Sequence, residues 1–328
     1  MHFNPDVGSR GWRRIAAFAC AAGLCLAAAP RATRAADAPL RAARDGSLLT
    51  VSAGARPVFE YQSAAAPKKP YVRKLYSPSG VQVLRDAPAD HLHHHALMFA
   101  LAADSIDFWA EGTGSGLQRQ KSLAVVEANP DKAPGRAGLR QDLEWIDPAT
   151  DKALVEERRT ILALAGLESP ATLISWRSQL LAPAGKGTTR LTGSHYFGLG
   201  MRFLESMDRG GRFFNSERAE GEIVRGSERL TPARWAAYAA VADGGPVTVA
   251  VFDHPGNPRH PARMFTMTPP FAYLAATLNL WKEPWELSGG RAMDLRYGVA
   301  IWDGETDPAG VEAVYRRWVR MTASGSDR

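Results

Sequence analysis

The chain has 328 residues, of which 45% are apolar and 23% are charged. This composition excludes a disordered chain, because disordered chains combine few apolar residues with a high net charge. The length suits one large domain or two small ones. The formal net charge of +6 comes from 40 basic and 34 acidic residues.

The first 35 residues have the order of parts found in a secretory signal. Arg10, Arg13 and Arg14 form a basic start, an apolar run follows over residues 15–29, and Thr33-Arg34-Ala35 offers a cleavage site. The run is shorter than the ~20 residues that a helix needs to cross a bilayer. We therefore expect residues 1–35 to be a signal peptide and the mature protein to be periplasmic or secreted. The Sec route is expected, with the twin-arginine route as an option because of Arg13-Arg14; an uncleaved anchor is the alternative.

Removal of this segment changes what the composition implies. It takes five arginines and one aspartate and leaves 35 basic and 33 acidic residues, so charge gives no argument for a nucleic-acid partner. It also takes Cys20 and Cys25, so the mature chain has no thiol for a disulfide, a nucleophile or a metal ligand. No later stretch of the sequence is apolar and long enough to span a membrane.

Short apolar or alternating runs near Gly, Pro, Asp or Asn recur along the rest of the chain and predict β-strands. They include residues 48–51, 81–84, 96–101, 123–126, 160–164 and 247–252. Asp307-Pro308 can start a helix, and Val311, Val314 and Trp318 follow at helical spacing. Loops are predicted over residues 129–138 and 182–187, and a frayed tail over 322–328. We predict one all-β domain over residues 36–328, a large antiparallel β-sandwich with a short carboxy-terminal helix.

Histidine is the most unusual chemistry of the mature chain. Seven histidines remain after the signal, and four of them lie together at His91, His93, His94 and His95. If the segment were extended, His91, His93 and His95 would lie on one face and His94 on the other.

Two functions are open for this cluster. His91 and His93 are candidate ligands of a divalent metal ion, with His195, His254 or a carboxylate as a third ligand. Alternatively, one histidine acts as a general acid or base while Asp90 fixes its tautomer. A solvated loop without function is the remaining possibility.

A second segment, residues 252–261, follows an apolar strand and contains three prolines, which stiffen the backbone. Asp253, His254 and His260 are candidate catalytic residues in this segment. Arg259 is a candidate fork for a carboxylate or for sugar hydroxyls. A rigid structural turn capped by Asp253 is the alternative.

Five further side chains are candidates for the same site. Glu217 is a candidate general base or metal ligand, and Asn215 a binder of hydroxyls. His195 is a candidate catalytic residue and Arg202 a candidate binder of an acidic or hydroxyl-rich ligand, in a Gly- and aromatic-rich segment that suits the wall of a pocket. Trp109 offers a stacking face for a sugar ring. The sequence contains no GxSxG elbow, HExxH motif, P-loop or dinucleotide fingerprint.

Two adjacent motifs resemble the signature of an uncharacterised bacterial family labelled PmoA-like. They are Leu-Tyr-Ser-Pro-Ser-Gly at residues 75–80 and Arg-Asp-Ala-Pro-Ala-Asp-His-Leu-His-His at residues 85–94. Further motifs follow in the expected order: Asp107-Phe108-Trp109, Asn215-Ser216-Glu217, Ala233-Arg234-Trp235, residues 252–261 and Leu295-Arg296-Tyr297. The resemblance covers about residues 45–305. The label refers to a methane oxygenase subunit embedded in a membrane, which a chain without a span does not support.

The resemblance also implies a fold, and the sequence departs from the family at two positions. The late Leu-Arg-Tyr motif is similar to the closing strands of galactose-mutarotase-like supersandwiches, so we expect that type of sandwich. His95 stands where the family commonly has an arginine, and Arg218 where it commonly has a glycine.

Together these features predict a secreted carbohydrate-active enzyme of the lyase, hydrolase or epimerase type. Its histidine-rich pocket would supply acid/base chemistry or hold a divalent metal ion, and its ligand would be a small molecule or an oligosaccharide. A non-catalytic glycan-binding module, in which aromatic residues carry the affinity, is one alternative. A periplasmic metal-binding protein is the other.

Overall fold

The structure, a computed structural model, describes residues 38–64, 68–129, 135–165 and 171–323. The predicted signal peptide lies outside these residues, as does the end of the predicted tail. The helices within these ranges are too short or too polar to cross a membrane.

The described part of the chain is built almost entirely from strands. In chain order they are β1 (Leu40–Asp45), β2 (Leu48–Ala53), β3 (Arg56–Gln62), β4 (Tyr71–Leu75), β5 (Leu97–Ala100), β6 (Ala102–Ala103), β7 (Ile106–Asp107), β8 (Leu117–Ala128), β9 (Arg136–Asp147), β10 (Lys152–Leu164), β11 (Ala171–Leu181), β12 (Thr188–Thr192), β13 (Gly198–Arg202), β14 (Arg212–Asn215), β15 (Glu222–Arg225), β16 (Glu228–Pro232), β17 (Trp235–Ala242), β18 (Gly245–Asp253), β19 (Arg263–Met267), β20 (Tyr273–Thr277), β21 (Trp285–Ser288) and β22 (Met293–Asp303). A short 3-10 helix spans Glu205–Met207, and helix α1 spans Pro308–Ala323.

These strands form three sheets. The ten-stranded sheet has the order β1-β2-β3-β4-β5-β13-β20-β19-β16-β15, and the eight-stranded sheet the order β14-β17-β18-β22-β11-β10-β9-β8. A four-stranded sheet, β21-β12-β6-β7, completes the described part. Neighbouring strands run antiparallel, as in the pairs β13–β20 and β18–β22. The predicted all-β fold of large antiparallel sheets with one carboxy-terminal helix is confirmed.

Strand β18 shows how the layers stack. Val247, Val249 and Val251 belong to the main core, which also takes side chains from the ten-stranded sheet. The alternate residues Ala250 and Phe252 belong to a second apolar cluster, which includes the buried face of α1. Successive side chains of a strand point to opposite faces, so β18 is covered on both sides and is buried over residues 247–253.

A buried ion pair lies inside the main core. The Arg159 guanidinium donates to both carboxylate oxygens of Glu157 at 2.8 Å, and both side chains are fully buried. Arg159 also donates to the Pro70 carbonyl at 3.0 Å and to the Tyr61 hydroxyl at 3.3 Å. Because Tyr61 belongs to β3 and Arg159 to β10, this network ties the two large sheets together.

Three local predictions were wrong. The tail predicted to fray from residue 322 starts later, because α1 extends to Ala323 and Thr322 is buried. Residues 81–84 make only isolated bridges, Gln82 with Tyr76 and Leu84 with Phe203, because the segment changes partner within two residues. The loop predicted over 129–138 is too long, since β9 already begins at Arg136 and pairs with both neighbours.

Candidate functional site

One face of the ten-stranded sheet carries a cavity of about 540 Å³. Strands β16, β19 and β20 contribute Glu228, Phe265 and Tyr273 to its wall. The turn between β15 and β16 and the loop after β19 close two further sides. The remaining wall is a group of histidine and aromatic rings: His91, His93, His94, Trp109, Tyr196 and Phe271.

Glycine makes room for the aromatic floor. The Tyr273 ring crosses β13 at Gly200, where an added Cβ would lie 2.1 Å from the tyrosine hydroxyl. Burial of Tyr273 is complete and raises the pKa of its hydroxyl well above the usual value. The hydroxyl of Tyr273 therefore stays protonated, and its chemistry is limited to hydrogen bonding.

The histidine cluster lies in a turn, not in a strand. The His91 amide donates to the Pro88 carbonyl at 2.9 Å, and the His94 amide donates to the His91 carbonyl at 2.9 Å. Ala87 and Ala96, on either side of the turn, have positive φ angles of 44° and 40°. The turn places side chains according to its own hydrogen bonds and not by the alternation of a strand.

Three of the four clustered histidines consequently face the cavity together. The rings of His91 and His94 stack at 4.6 Å, and His93 meets His94 edge-on at 4.6 Å. His95 is absent from the cavity wall. The prediction that His91, His93 and His95 share one face was wrong, because it assumed an extended segment.

Two of the cavity histidines, His93 and His94, are held in their neutral form. Burial and the neighbouring His93 lower the pKa of His94 to about 2. Burial and then Lys69 also lower the pKa of His93. Neutral imidazoles both donate and accept hydrogen bonds, which suits a ligand rich in hydroxyl groups. The buried Nδ1 of His94 has no hydrogen-bond partner among the described residues.

His91 is oriented by a carboxylate. Its Nδ1 lies 3.0 Å from Oδ2 of Asp90, as predicted for a tautomer-fixing pair. With Nδ1 as the donor to Asp90, Nε2 is the nitrogen that can accept a proton. This Asp–His pair borders the cavity, and both side chains are partly exposed.

His95 has a different set of neighbours. Its Nδ1 lies 2.8 Å from Asp86 and its Nε2 lies 3.0 Å from Glu111. Glu111 in turn accepts from the buried Lys69 ammonium at 2.6 Å, and Asp86 accepts from the Tyr71 hydroxyl at 2.7 Å. Burial opposes the charged form of His95, but the hydrogen bonds to Asp86 and Glu111 outweigh it and raise the pKa. His95 thus anchors the turn that carries the other three histidines.

A second pair of carboxylate and imidazole, Glu228 and His195, reaches the cavity through Glu228. Glu228 accepts from the Arg225 guanidinium at 2.6 Å through one oxygen and lies 3.0 Å from Nε2 of His195 through the other. Glu228 lines the cavity and is 5% exposed, whereas His195 stands behind it. The residue type and the spacing of Glu228 in the sequence gave no signal for this role.

Trp109 lines the cavity. One of its faces is already occupied, because it stacks on Phe197 with ring centroids 5.0 Å apart and planes within 9°. Its buried Nε1 has no partner among the described residues. Because Trp109 is 2% exposed, it packs within the cavity wall and offers no open stacking face to a ligand.

Arg202 lies beneath the cavity wall. Its guanidinium sits 3.5 Å from the centroid of Phe271, which covers it. Asp90 and Asp208 lie 3.7 Å and 3.8 Å away, and burial lowers the pKa of the arginine. The predicted role in substrate binding is indirect in this arrangement, since Arg202 supports Asp90 and Phe271.

The second histidine segment does not join the cavity in the described structure. Asp253 is buried and accepts from Asn257 at 2.7 Å and from the Ala262 amide at 2.8 Å, and it lies 2.6 Å from Nδ1 of His260. His254 packs against Trp318 of α1, and burial followed by Arg296 lowers its pKa. Asp253, His254 and His260 form a rigid turn, which was the structural alternative.

The remaining candidates also lie outside the cavity wall. Arg259 donates to the carbonyls of Leu278 and Pro284 at 3.0 and 3.3 Å and does not present its fork to the cavity. The Asn215 amide holds its own loop through the Ala219 carbonyl at 2.6 Å and borders a separate hollow of about 370 Å³. Glu217 is an exposed loop residue bonded to Ser216 at 2.8 Å.

The predicted metal ligands do not assemble into a metal site. Across the described ranges, no group of three or more His, Cys, Asp or Glu side chains is arranged to hold a metal ion. His91 and His93 are ring neighbours, at 5.8 Å, but neither His195 nor His254 stands beside them as a third ligand.

The fold and this cavity define an all-β protein with a histidine- and aromatic-lined pocket. The chain belongs to a family of unknown function (DUF6807), whose model matches residues 49–316. No curated protein matches it. These matches do not include a family labelled PmoA-like, so that resemblance stays a prediction.

Several solved structures are similar in outline. The GH36 α-galactosidase AgaB of Geobacillus stearothermophilus shares 12% identity at a TM-score of 0.49 over 80% of this chain and 41% of that chain. The α-galactosidase of Lactobacillus brevis shares 8% identity at 0.45 over 81% and 39%. A candidate aldose 1-epimerase of Klebsiella pneumoniae subsp. pneumoniae MGH 78578 shares 10% at 0.45 over 86% of both chains. The chain spans about two fifths of the length of the α-galactosidases.

Proposed function

We propose that the cavity binds a sugar and that the protein is a carbohydrate-active enzyme that moves a proton on that sugar. The observation that carries the proposal is that two carboxylate–imidazole pairs, each joined by a hydrogen bond, border one aromatic cavity. The first pair is Asp90–His91, at 3.0 Å, and the second is Glu228–His195, at 3.0 Å.

The lining of the cavity supports a sugar as the ligand. Sugars present hydroxyl groups at the edge of the ring and apolar C–H groups on its faces. Aromatic rings such as Phe265 and Phe271 suit the C–H groups, while the neutral imidazoles of His93 and His94 suit the hydroxyls. A volume of about 540 Å³ is within the range of small-molecule sites.

The two pairs support proton transfer. His91, with Nδ1 directed at Asp90, can accept a proton at Nε2 and return it. Glu228 is an acceptor whose position is fixed by Arg225 and His195. A lyase, an epimerase and a hydrolase all need such a positioned donor and acceptor, so the class of reaction is proposed and the specific bond is not.

Export is part of the proposal. The basic and apolar segment over residues 1–35 supports a periplasmic or secreted enzyme that meets sugars outside the cytoplasm. Expression of the full chain in a Gram-negative host, followed by fractionation and amino-terminal sequencing, tests this. Recovery of the intact chain in the cytoplasm would contradict it.

The catalytic proposal is tested by a product screen. Purified protein is incubated with glucose, galactose, mannose, xylose, glucuronate and their oligomers, and products are followed by NMR and mass spectrometry. His91→Asn and Glu228→Gln are each expected to lower turnover by about 10²- to 10⁴-fold with the melting temperature nearly unchanged. Glu217→Gln is the matched control, because it removes an exposed carboxylate outside the cavity and should leave turnover intact.

The screen also separates the catalytic enzyme from a binding module. Binding without turnover in the wild type, retained in His91→Asn but lost when an aromatic wall residue such as Phe265 is removed, would favour a glycan-binding module. Absence of any binding or turnover across the panel would sink the sugar proposal altogether.

A further inference from the structure

Among the described residues, one tryptophan, Trp281, is exposed. Trp281 is 38% exposed, whereas Trp145, Trp176 and Trp318 are fully buried. The Trp281 ring contacts His195 at 5.7 Å, and His195 is the residue that holds Glu228. His195 also contacts two residues of the cavity wall, Tyr196 at 5.0 Å and Phe265 at 5.5 Å, so one side chain separates Trp281 from that wall.

The turn that carries Trp281 is held rigidly. Arg259 donates to carbonyls on both sides of Trp281, those of Leu278 before it and of Glu283 and Pro284 after it. The amide of Asn279 bonds to the Glu283 carboxylate at 3.0 Å within the same turn. A ring that is fixed before binding loses little conformational entropy when a ligand stacks on it.

The second histidine segment explains why Arg259 is so well placed. The buried Asp253 carboxylate bonds to Asn257, to His260 and to the Ala262 amide. Because these partners lie before and after Arg259, the bonds fix the backbone on both sides of it. Arg259 itself has a positive φ of 60°, a conformation that only a tightly constrained turn imposes on a residue with a side chain. The segment therefore acts as the support of the Trp281 turn.

The charges around Trp281 are balanced. The Lys282 ammonium lies 4.7 Å from the centroid of the Trp281 ring and 3.5 Å from Glu222. On the cavity side, Arg225 is neutralised by Glu228. An exposed aromatic ring flanked by paired charges suits an uncharged, hydroxylated ring better than an ion.

We propose that Trp281 forms a second sugar subsite, so that the ligand is an oligosaccharide with one ring in the cavity and the next stacked on Trp281. This inference rests on the proposed sugar-binding function of the cavity. Arg259 is a positioning residue for this subsite and does not contact the ligand.

The test is the dependence of affinity on chain length. Titration calorimetry first identifies which of glucose, galactose, mannose, xylose and glucuronate binds, and the disaccharide to tetrasaccharide of that sugar are then compared with it. Wild-type protein is expected to bind the disaccharide on the order of tenfold more tightly than the monosaccharide, because stacking removes apolar area from water. Trp281→Ala should erase that gain and leave monosaccharide affinity unchanged.

Three variants control the interpretation. Val241→Ala, which truncates another exposed apolar side chain at 61% exposure, should change neither affinity. Arg259→Met should lower disaccharide affinity alone, and Trp281→Phe should keep part of the gain.

The outcomes separate the two proposals. Monosaccharide binding with no gain on lengthening, or a gain that survives Trp281→Ala, overturns the subsite and leaves the cavity proposal standing. If no sugar of the panel binds, both proposals fall.

Discussion

The imidazole of His95, fixed between two carboxylates, offers the sharpest test of how the histidine turn is held. His95→Ala removes hydrogen bonds of 2.8 Å to Asp86 and 3.0 Å to Glu111. Each such bond to a charged group contributes about 1.5–3 kcal/mol. Asp86 is 31% exposed and can be rehydrated, and Glu111 keeps Lys69, so the net loss should be about 2–3 kcal/mol.

The size of this loss should depend on pH with a defined sign. The pKa of His95 is raised in the folded protein, so its contribution is complete below the unfolded value of about 6.5. The contribution is lost as pH rises through the higher folded pKa. Urea unfolding of the wild type and of His95→Ala should therefore differ more at pH 6 than at pH 9.

Two further variants make this reasoning refutable. Leu92→Ala, in the same turn but 66% exposed, should cost nothing at either pH. His95→Arg keeps a cation between the carboxylates and should lose less stability than His95→Ala at pH 9. Equal penalties for His95→Ala at pH 6 and pH 9 would mean that the imidazole acts by packing and not by charge.

Other consequences of the structure are open to direct measurement. Glu157→Leu leaves the buried Arg159 without its carboxylate and should destabilise the protein by about 3–5 kcal/mol in urea unfolding. Gly200→Ala drives a methyl group against the Tyr273 hydroxyl, 2.1 Å from the added Cβ, and should cost about 1–3 kcal/mol and lower the melting temperature. Burial opposes ionisation of Glu111, but His95 and Lys69 lower its pKa to about 2, so the stability difference between wild type and Glu111→Gln should be complete above pH 4.5 and vanish towards pH 2 in acid titration.

The sheets were predictable because strand periodicity is a local property. The nearly continuous apolar run over residues 247–252 is typical of a strand that is buried on both faces, and both faces of β18 are covered in the fold. The helix was predictable from Val311, Val314 and Trp318, which all pack in the second apolar cluster. Residues 81–84 misled the prediction because a bridge that changes partner has the same apolar pattern as a strand.

The site was only partly predictable, because it depends on contacts between distant segments. The turn at His91, His93 and His94 could be found from composition, and it does line the cavity. Glu228 could not be found, since it is an ordinary glutamate in a hairpin until the fold brings His195 to it from 33 residues away. Tyr273 likewise depends on Gly200 in a neighbouring strand.

The two histidine segments look alike in sequence, yet the physical state of their carboxylates separates them. Asp253 is 1% exposed and its oxygens are occupied by donors from its own turn, so it has no capacity left for a ligand. Asp90 is half exposed and lies 3.0 Å from Nδ1 of His91, at the edge of a cavity. A carboxylate that is saturated within its own segment stabilises structure, whereas one that orients an imidazole facing a cavity retains the capacity for proton transfer. By this criterion the turn around His91 is the segment to which the proposed proton transfer is assigned, and the turn around Asp253 is a structural one.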